Sequence, residues 1–314
     1  MRFLNRKTNI DFIGKRKIAF AVSAILIILS ITSLAVRGLN FGLDFTGGAL
    51  IEVAYSEAPD LENVRNSLNE AGLSDAVVQT FGLDTEIVVR IPPREESEGS
   101  AELSTDVLQA LQSGFEGTVD MRRVEFVGPQ VGEELTEQGI LAVVYALIGI
   151  FLYVMMRFQW RFSVGAVAAL VHDVIITMGI ISAIQVEFDL TVVAALLAVI
   201  GYSLNDTIVL FDRIRENFPK LRNHSPIEVV NTSVNETLSR TLMTSLTTLL
   251  VLSALFVFGG EIIHAFAFTL IVGVLVGTYS SIYVASTTLL ELGVSKFDLL
   301  QIEKEGASAP DSMP

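Results

Sequence analysis

Six stretches of the chain stay apolar for roughly 20 residues each, the length a helix needs to cross a hydrocarbon core. They are residues 18–36, 139–156, 162–184, 190–211, 241–258 and 265–290. None alternates as a barrel strand does, and backbone amides in lipid must be satisfied within their own segment, so the six are predicted to be transmembrane helices. Between the first two the period shortens. Residues 49–55 read as a strand, 61–71 as an amphipathic helix, and 76–82 and 86–91 as a strand pair. A second helix over 103–111, with Leu103, Val107, Leu108 and Leu111 at helical spacing, and a last strand over 119–127 complete the pattern. The expected fold is an α-helical membrane bundle with six transmembrane helices plus an α+β domain of βαββαβ order, the ferredoxin-like arrangement. The Pro- and Glu-rich stretch 92–102 is its loose connection.

Composition agrees with a membrane chain. Of 314 residues 51% are hydrophobic and 18% charged, with mean hydropathy +0.56, too apolar for one ordinary soluble core. Arg2, Arg6, Lys7, Lys15, Arg16 and Lys17 precede the first span and hold the N-terminus in the cytoplasm by the positive-inside rule. Alternation then places Arg157 and Arg161, and Arg213, Arg215, Lys220 and Arg222, inside as well. The loops 185–189 and 259–264 carry no Lys or Arg and fall outside. The expected parts are a basic cytoplasmic N-terminus over 1–17, a first span over 18–36 retained as an anchor rather than cleaved as a signal peptide, and an extracytoplasmic (periplasmic) domain over 37–137. A five-helix bundle over 138–292 and a cytoplasmic tail over 293–314 follow.

The net charge of −14 is concentrated in residues 38–137, which hold 20 Asp and Glu against 5 Arg. Such a balance excludes nucleic acid as a partner. It reads as a solvated surface, with a site for a cationic partner as the alternative. Cysteine is absent, which removes disulfides, thiolate metal sites and cysteine nucleophiles. No nucleophile, base or metal constellation stands out in the domain, so a lever or interaction role is expected there, with no enzymatic activity, resident cofactor or metal.

Polar residues inside the spans carry the candidate chemistry, because an ionisable group at that depth costs about 2.5–3.5 kcal/mol on insertion scales and is usually kept for function. The third span holds His172 and Asp173, the fourth Asn205 and Asp206, and the fifth begins at Arg240 and continues with Thr244, Thr247 and Thr248 on one face. At about 1.5 Å per residue Asp206 lies roughly 8 Å from the cytoplasmic edge and Asp173 roughly 16 Å inside. Asp206 and Arg240 are therefore expected to face each other on neighbouring helices, with His172 and Asp173 a deeper station of a polar ladder for a proton or sodium ion. A structural ion pair, a snorkelling Arg240 and hydrogen bonds from His172 and Asp173 to a partner's helix stay open as alternatives.

Glycines punctuate both ends of the soluble domain. Gly42, Gly47 and Gly48 follow the first span, and Gly128 and Gly132 precede the second. They read as two hinges on which the domain swings, or as ordinary turns. Ser225-Pro-Ile-Glu228 carries the signature of a helix start, expected to open an amphipathic cytoplasmic helix. In the last span Gly273, Gly277, Ser281 and Ala285 recur every four residues, a small face for close helix packing within the bundle or against a partner.

These segments in this order resemble the SecF branch of the SecD/SecF family of protein-export membrane subunits, within the resistance-nodulation-division superfamily. The resemblance rests on Phe41-Gly-Leu-Asp-Phe-Thr-Gly-Gly48, Val127-Gly-Pro-Gln-Val-Gly132, His172-Asp-Val174, Leu204-Asn-Asp-Thr-Ile-Val-Leu-Phe-Asp-Arg-Ile-Arg-Glu216, Glu236-Thr-Leu-Ser-Arg-Thr241 and Gly277-Thr-Tyr-Ser-Ser-Ile282. It implies a multi-pass protein of the bacterial inner membrane, paired with SecD and working with SecYEG, YajC and a preprotein. It also implies that proton or sodium flow drives a late stage of export, with Asp206 as the relay carboxylate and Arg240 its charge partner. Half of a small-molecule exporter of the same superfamily, or a non-conducting translocon scaffold, are the competing expectations.

Overall fold

In the soluble domain, alternation of apolar and polar side chains along each strand buries one face and leaves the other open. The computed structural model describes residues 8–93 and 100–294. After helix α1 (Arg16–Val36) come a two-residue strand β1 (Asn40–Phe41) and a short turn of helix α2 (Leu43–Thr46). The domain proper is β2 (Gly48–Tyr55), α3 (Leu61–Glu70), β3 (Val77–Phe81), β4 (Leu83–Ile91), α4 (Ser100–Ser113) and β5 (Val119–Val127). The sheet is antiparallel in the order β3-β4-β2-β5. Ala49, Ile51 and Val53 on β2 and Ile87, Val89 and Ile91 on β4 pack under Val64 and Leu68 of α3 and Val107 and Leu111 of α4. Asp60 caps α3, its carboxylate accepting from the Glu62 amide at 2.9 Å, the usual satisfaction of a helix's first donors. Of the connection expected over 92–102, residues 94–99 lie outside the described residues, as do residues 1–7 of the basic N-terminus and the tail from 295.

Six helical segments are long and apolar enough to cross a membrane among the described residues. They comprise α1, α5 (Pro129–Arg157), α6 (Trp160–Ile184), α7 (Leu190–Lys220), α8 (Pro226–Phe258) and a last span built from α9 (Glu261–Ser280), a π-helical turn (Ser281–Ala285) and α10 (Ser286–Glu291). A strand β6 (Glu187–Phe188) lies between α6 and α7 and pairs in parallel with β1. Helix α6 packs against α1, α5, α7 and α9, and α7 against α8 and α9. The apolar stretches of α6 and α7 are 61% and 50% buried, those of α1 and α5 only 11% and 6%. The first pair is thus the bundle's interior, and the second presents its apolar surface outward, to lipid or a partner.

Three elements differ from the sequence reading, each through helix continuity. Helix α5 begins at Pro129, whose missing amide and fixed φ suit a first helical position, so Gly132 is inside the helix. Helix α7 runs on to Lys220, about 46 Å in all, so it continues past the end at Phe211 expected from the apolar run, carrying the charged residues Asp212 to Glu216 on the same helix. Ser225 and Glu228 form the expected capping box, but they open α8 itself, and no separate amphipathic helix precedes the span. Nothing between Pro226 and Phe258 breaks the helical ladder, so it continues from one environment into the other.

Candidate functional site

A carboxylate buried in a membrane bundle needs donors for each oxygen, and Asp173 has them. It is 1% exposed on α6. Its Oδ1 lies 3.0 Å from His172 Nδ1, and its Oδ2 accepts from Ser203 Oγ on α7 at 2.6 Å and Ser280 Oγ on α9 at 2.8 Å. His172 Nε2 is 3.1 Å from Ser23 Oγ on α1, and Ser23 in turn is 3.1 Å from the Tyr279 hydroxyl, which donates to Ala19 O at 2.8 Å. The His172 ring stacks on Tyr279. One buried chain of polar groups thus ties α1, α6, α7 and α9 together.

Asp206 lies one turn beyond Ser203 on α7 and is 3% exposed. Its Oδ2 is buried and, among the described residues, has no hydrogen-bond partner. The groups acting on it across the α7–α8 seam are the guanidinium of Arg240 and the hydroxyl of Thr244. Thr244 Oγ1 returns to its own helix, to Arg240 O at 3.1 Å and Thr241 O at 2.9 Å. Arg240 is exposed and lines a cleft of about 350 Å³ with Asp212, Arg213, Glu216, Glu236 and Thr237, at the end of the bundle away from the α/β domain. The helices thus bring Asp206, Arg240 and Thr244 to one seam, close enough to act on one another electrostatically, without an ion pair between Asp206 and Arg240 among the described residues. Asn205 is not part of it, because the next residue along a helix points about 100° away, and here that is the exposed side of α7.

The small face of the last span faces α7. A Cβ built on Gly273 would stand 2.1 Å from Val199, and one on Gly277 would stand 3.0 Å from Ser203 and 3.6 Å from Asp173 Oδ2. Glycine there lets Ser280 reach Asp173. Ser281 bonds Gly277 O at 2.8 Å and Thr207 Oγ1 at 3.1 Å. At Ser281 the helix widens to its π turn, a feature often found at functional sites.

Of the five glycines flanking the domain, only Gly47 and Gly48 hold left-handed φ, at 69° and 111°. Gly47 packs on Pro129 and Val127, Gly48 on Ile91 O, and Gly132 on Phe45 O, all at distances a side chain would violate or crowd. Gly42 starts α2 and backs onto Glu187, whereas a Cβ on Gly128 would meet nothing within 4 Å.

Sequence reading passed over Ser23, and over Gly179, whose Cβ would lie 2.2 Å from Ser30 Cβ on α1, and it quoted Tyr279 and Ser280 only within a motif, without the role they have in completing the Asp173 network. A single serine or glycine in an apolar helix is common, so only the seven-residue spacing of Ser23 and Ser30 hinted at a buried stripe facing α6.

The chain as a whole is similar to known proteins. Residues 107–295 match the family described as protein export membrane protein SecD/SecF, C-terminal, and residues 32–59 match the SecD/SecF GG motif. Similar chains include protein translocase subunit SecF of Vibrio alginolyticus, 52% identical over 100% of this chain and 99% of that one. That of Escherichia coli O157:H7 is 46% identical over 97% and 95%. Among solved structures, SecDF of Thermus thermophilus, described as a translocon-associated membrane protein, superposes with TM-score 0.81 at 38% identity. It is covered over only 39% of its length, against 93% of this chain. A SecDF structure in a super-membrane-facing form gives TM-score 0.68 at 38% identity, covering 91% of this chain and 39% of that one. With a family match over more than half its length and relatives aligned nearly end to end, the chain belongs to the SecD/SecF family of protein-export membrane proteins.

Proposed function

We propose that this chain is the SecF-type subunit of an ion-driven export assembly, and that Asp206 is its relay carboxylate. The observation that carries the reading is the state of Asp206, buried on α7, with one oxygen unpartnered among the described residues and the Arg240 guanidinium and Thr244 hydroxyl acting on it across a helix seam. A carboxylate so placed binds a proton or sodium ion in one state and turns to Arg240 in the other. Moving one charge through 100 mV is worth about 2.3 kcal/mol, enough to shift a two-state equilibrium severalfold. The cleft beneath Arg240 is the access route from the side away from the α/β domain.

The SecDF chains that this one resembles are longer, and this chain spans 39% of them. The remainder of those longer chains would correspond to a separate SecD-type partner, which would cover the outward faces of α5 and of the α7–α8 seam, where Asn205, Arg240 and Thr247 are exposed. The sheet order and the two covering helices support a ferredoxin-like reading of the domain. The charge bias of the loops supports placing that domain outside the cytoplasmic membrane with both termini inside. There it acts on a preprotein emerging from SecYEG, with YajC as a further associate, and the role is transport rather than catalysis.

Replacing the carboxylate is the test. Asp206→Asn keeps size and polarity, so the protein should accumulate and co-purify with its partner normally. Export of precursor in cells dependent on the variant should fall by about tenfold or more. A scaffold subunit would keep its export activity, and that result would overturn the relay.

A further inference from the structure

The segment from Asn40 to Thr46 is docked onto the start of α7 from several directions. β1 and β6 pair Asn40 with Glu187 and Phe41 with Phe188, and the Gly42 amide donates to Phe188 O at 2.8 Å. The carboxylate of Asp44 accepts from the Leu190 amide at 2.9 Å. That amide is among the first donors of α7, and Asp189, the cap residue, serves Val192 N instead, at 2.8 Å. A residue on the far side of the soluble domain's attachment therefore completes the cap of the helix that carries Asp206. Phe41, Phe45 and Phe188 form a cluster of rings, and Arg90 in the middle of the sheet reaches down to Glu187 at 2.5 Å.

We infer that residues 40–46 are a rigid clamp, with Asp44 as its positioning residue, which makes the α/β domain and the N-terminal end of α7 move as one body. The inference rests on the proposed relay role of Asp206, which lies on the same helix about 24 Å from the clamp. Backbone pairing, a cap bond, packed rings and an ion pair act together across one junction, and no solvated linker separates them. The glycines beyond the clamp serve close approach: Gly47 is pressed against Pro129 and Gly48 against Ile91 O. A shift of α7 when Asp206 changes partner is thus delivered to β2 without slack. This differs from a domain swinging freely about Gly42, Gly47 and Gly48.

The chain has no cysteine, so an introduced pair reports cleanly. In Asn40→Cys/Glu187→Cys the two residues are register partners, close enough to bridge. Oxidised and reduced forms of this variant, in membranes containing the full assembly, should export precursor at equal rates, because the strands stay paired throughout the cycle. A block on oxidation that reductant relieves would mean the junction opens, and would overturn the clamp. In Asp44→Ala, exchange of the Leu190 amide should speed up by about tenfold or more, and export should fall. Asp44→Asn, which still offers an oxygen, should restore both. Unchanged exchange in Asp44→Ala would also overturn the clamp. Asp206→Asn run alongside separates the readings: normal export there refutes the relay, whereas the amide exchange judges the clamp by itself.

Discussion

Gly48 offers the sharpest test of why two glycines follow one another where the chain enters the sheet. Its φ is 111°, and a Cβ there would lie 2.2 Å from Ile91 O, about 1 Å inside ordinary contact. Alanine at this position therefore meets two penalties. The backbone conformation costs an L-residue about 1–2 kcal/mol. Relief of the overlap means prising β2 from β4 at the Ala49–Ile91 pair, which forfeits a ladder hydrogen bond worth about 1 kcal/mol and adds about 1 kcal/mol or more of overpacking strain. Together these come to about 3–4 kcal/mol, a large part of a small domain's stability. Gly72 is the internal control, since its φ of 81° is also positive and costs an L-residue, but nothing lies within 4 Å of a Cβ there. Amide exchange of Ile51 and Val89, read in the intact protein, reports opening of the sheet while the bundle stays folded. Exchange should accelerate about a hundredfold or more in Gly48→Ala and about tenfold in Gly72→Ala. An equal loss of protection in the two variants would refute the argument that close approach, and not φ alone, demands glycine at 48.

Two further outcomes follow from buried polar groups. Tyr55 is 5% exposed, packs edge-on to Phe115, and its hydroxyl has no hydrogen-bond partner among the described residues. Burial pushes its phenol up to about 12, so the folded state holds the proton that the unfolded chain releases near 10. Stability from this source is intact below pH 10 and is lost as pH rises toward 12. Tyr55→Phe should leave the domain as stable or more stable by about 1 kcal/mol at neutral pH and flatten its alkaline decline, as read by thermal melts across that range. In the bundle, Asp173→Ala leaves the Ser203 hydroxyl and His172 Nδ1 without their partner, while Ser280 keeps Gly277 O at 3.1 Å and His172 Nε2 keeps Ser23, at about 1–3 kcal/mol for each buried group left unpaired. Asp173→Asn keeps an accepting oxygen and should cost clearly less, as judged by melting in detergent. An Asn variant as unstable as the Ala variant would show that charge, not acceptor geometry, holds α6 to α7 and α9.

The Asp206 site was legible because its cost is local: a carboxylate in an apolar run is improbable unless the fold uses it, and Arg240 with Thr244 four residues on marks one face of a single helix. The clamp was not legible in the same way. Phe41 to Gly48 stood out as a motif, but that Asp44 caps a helix starting 146 residues later depends on where two distant segments meet, and no local period encodes that. The glycines illustrate the same division. Residue type announced close approach or a turn at Gly47 and Gly48, yet the same letters at Gly42, Gly128 and Gly132 adopt ordinary φ values.

Hydrophobic length was enough to pick out six helices able to cross a membrane and an insertion of alternating strands and helices between the first two, because transfer from water to lipid acts on each segment independently. Packing of α1, α6, α7 and α9 around Asp173, the uninterrupted runs of α7 and α8, the π turn after Ser280 and the docking of β1 on β6 came only with tertiary structure. Each of these depends on which side chains reach across from a neighbouring element, and that is a property of the assembled bundle.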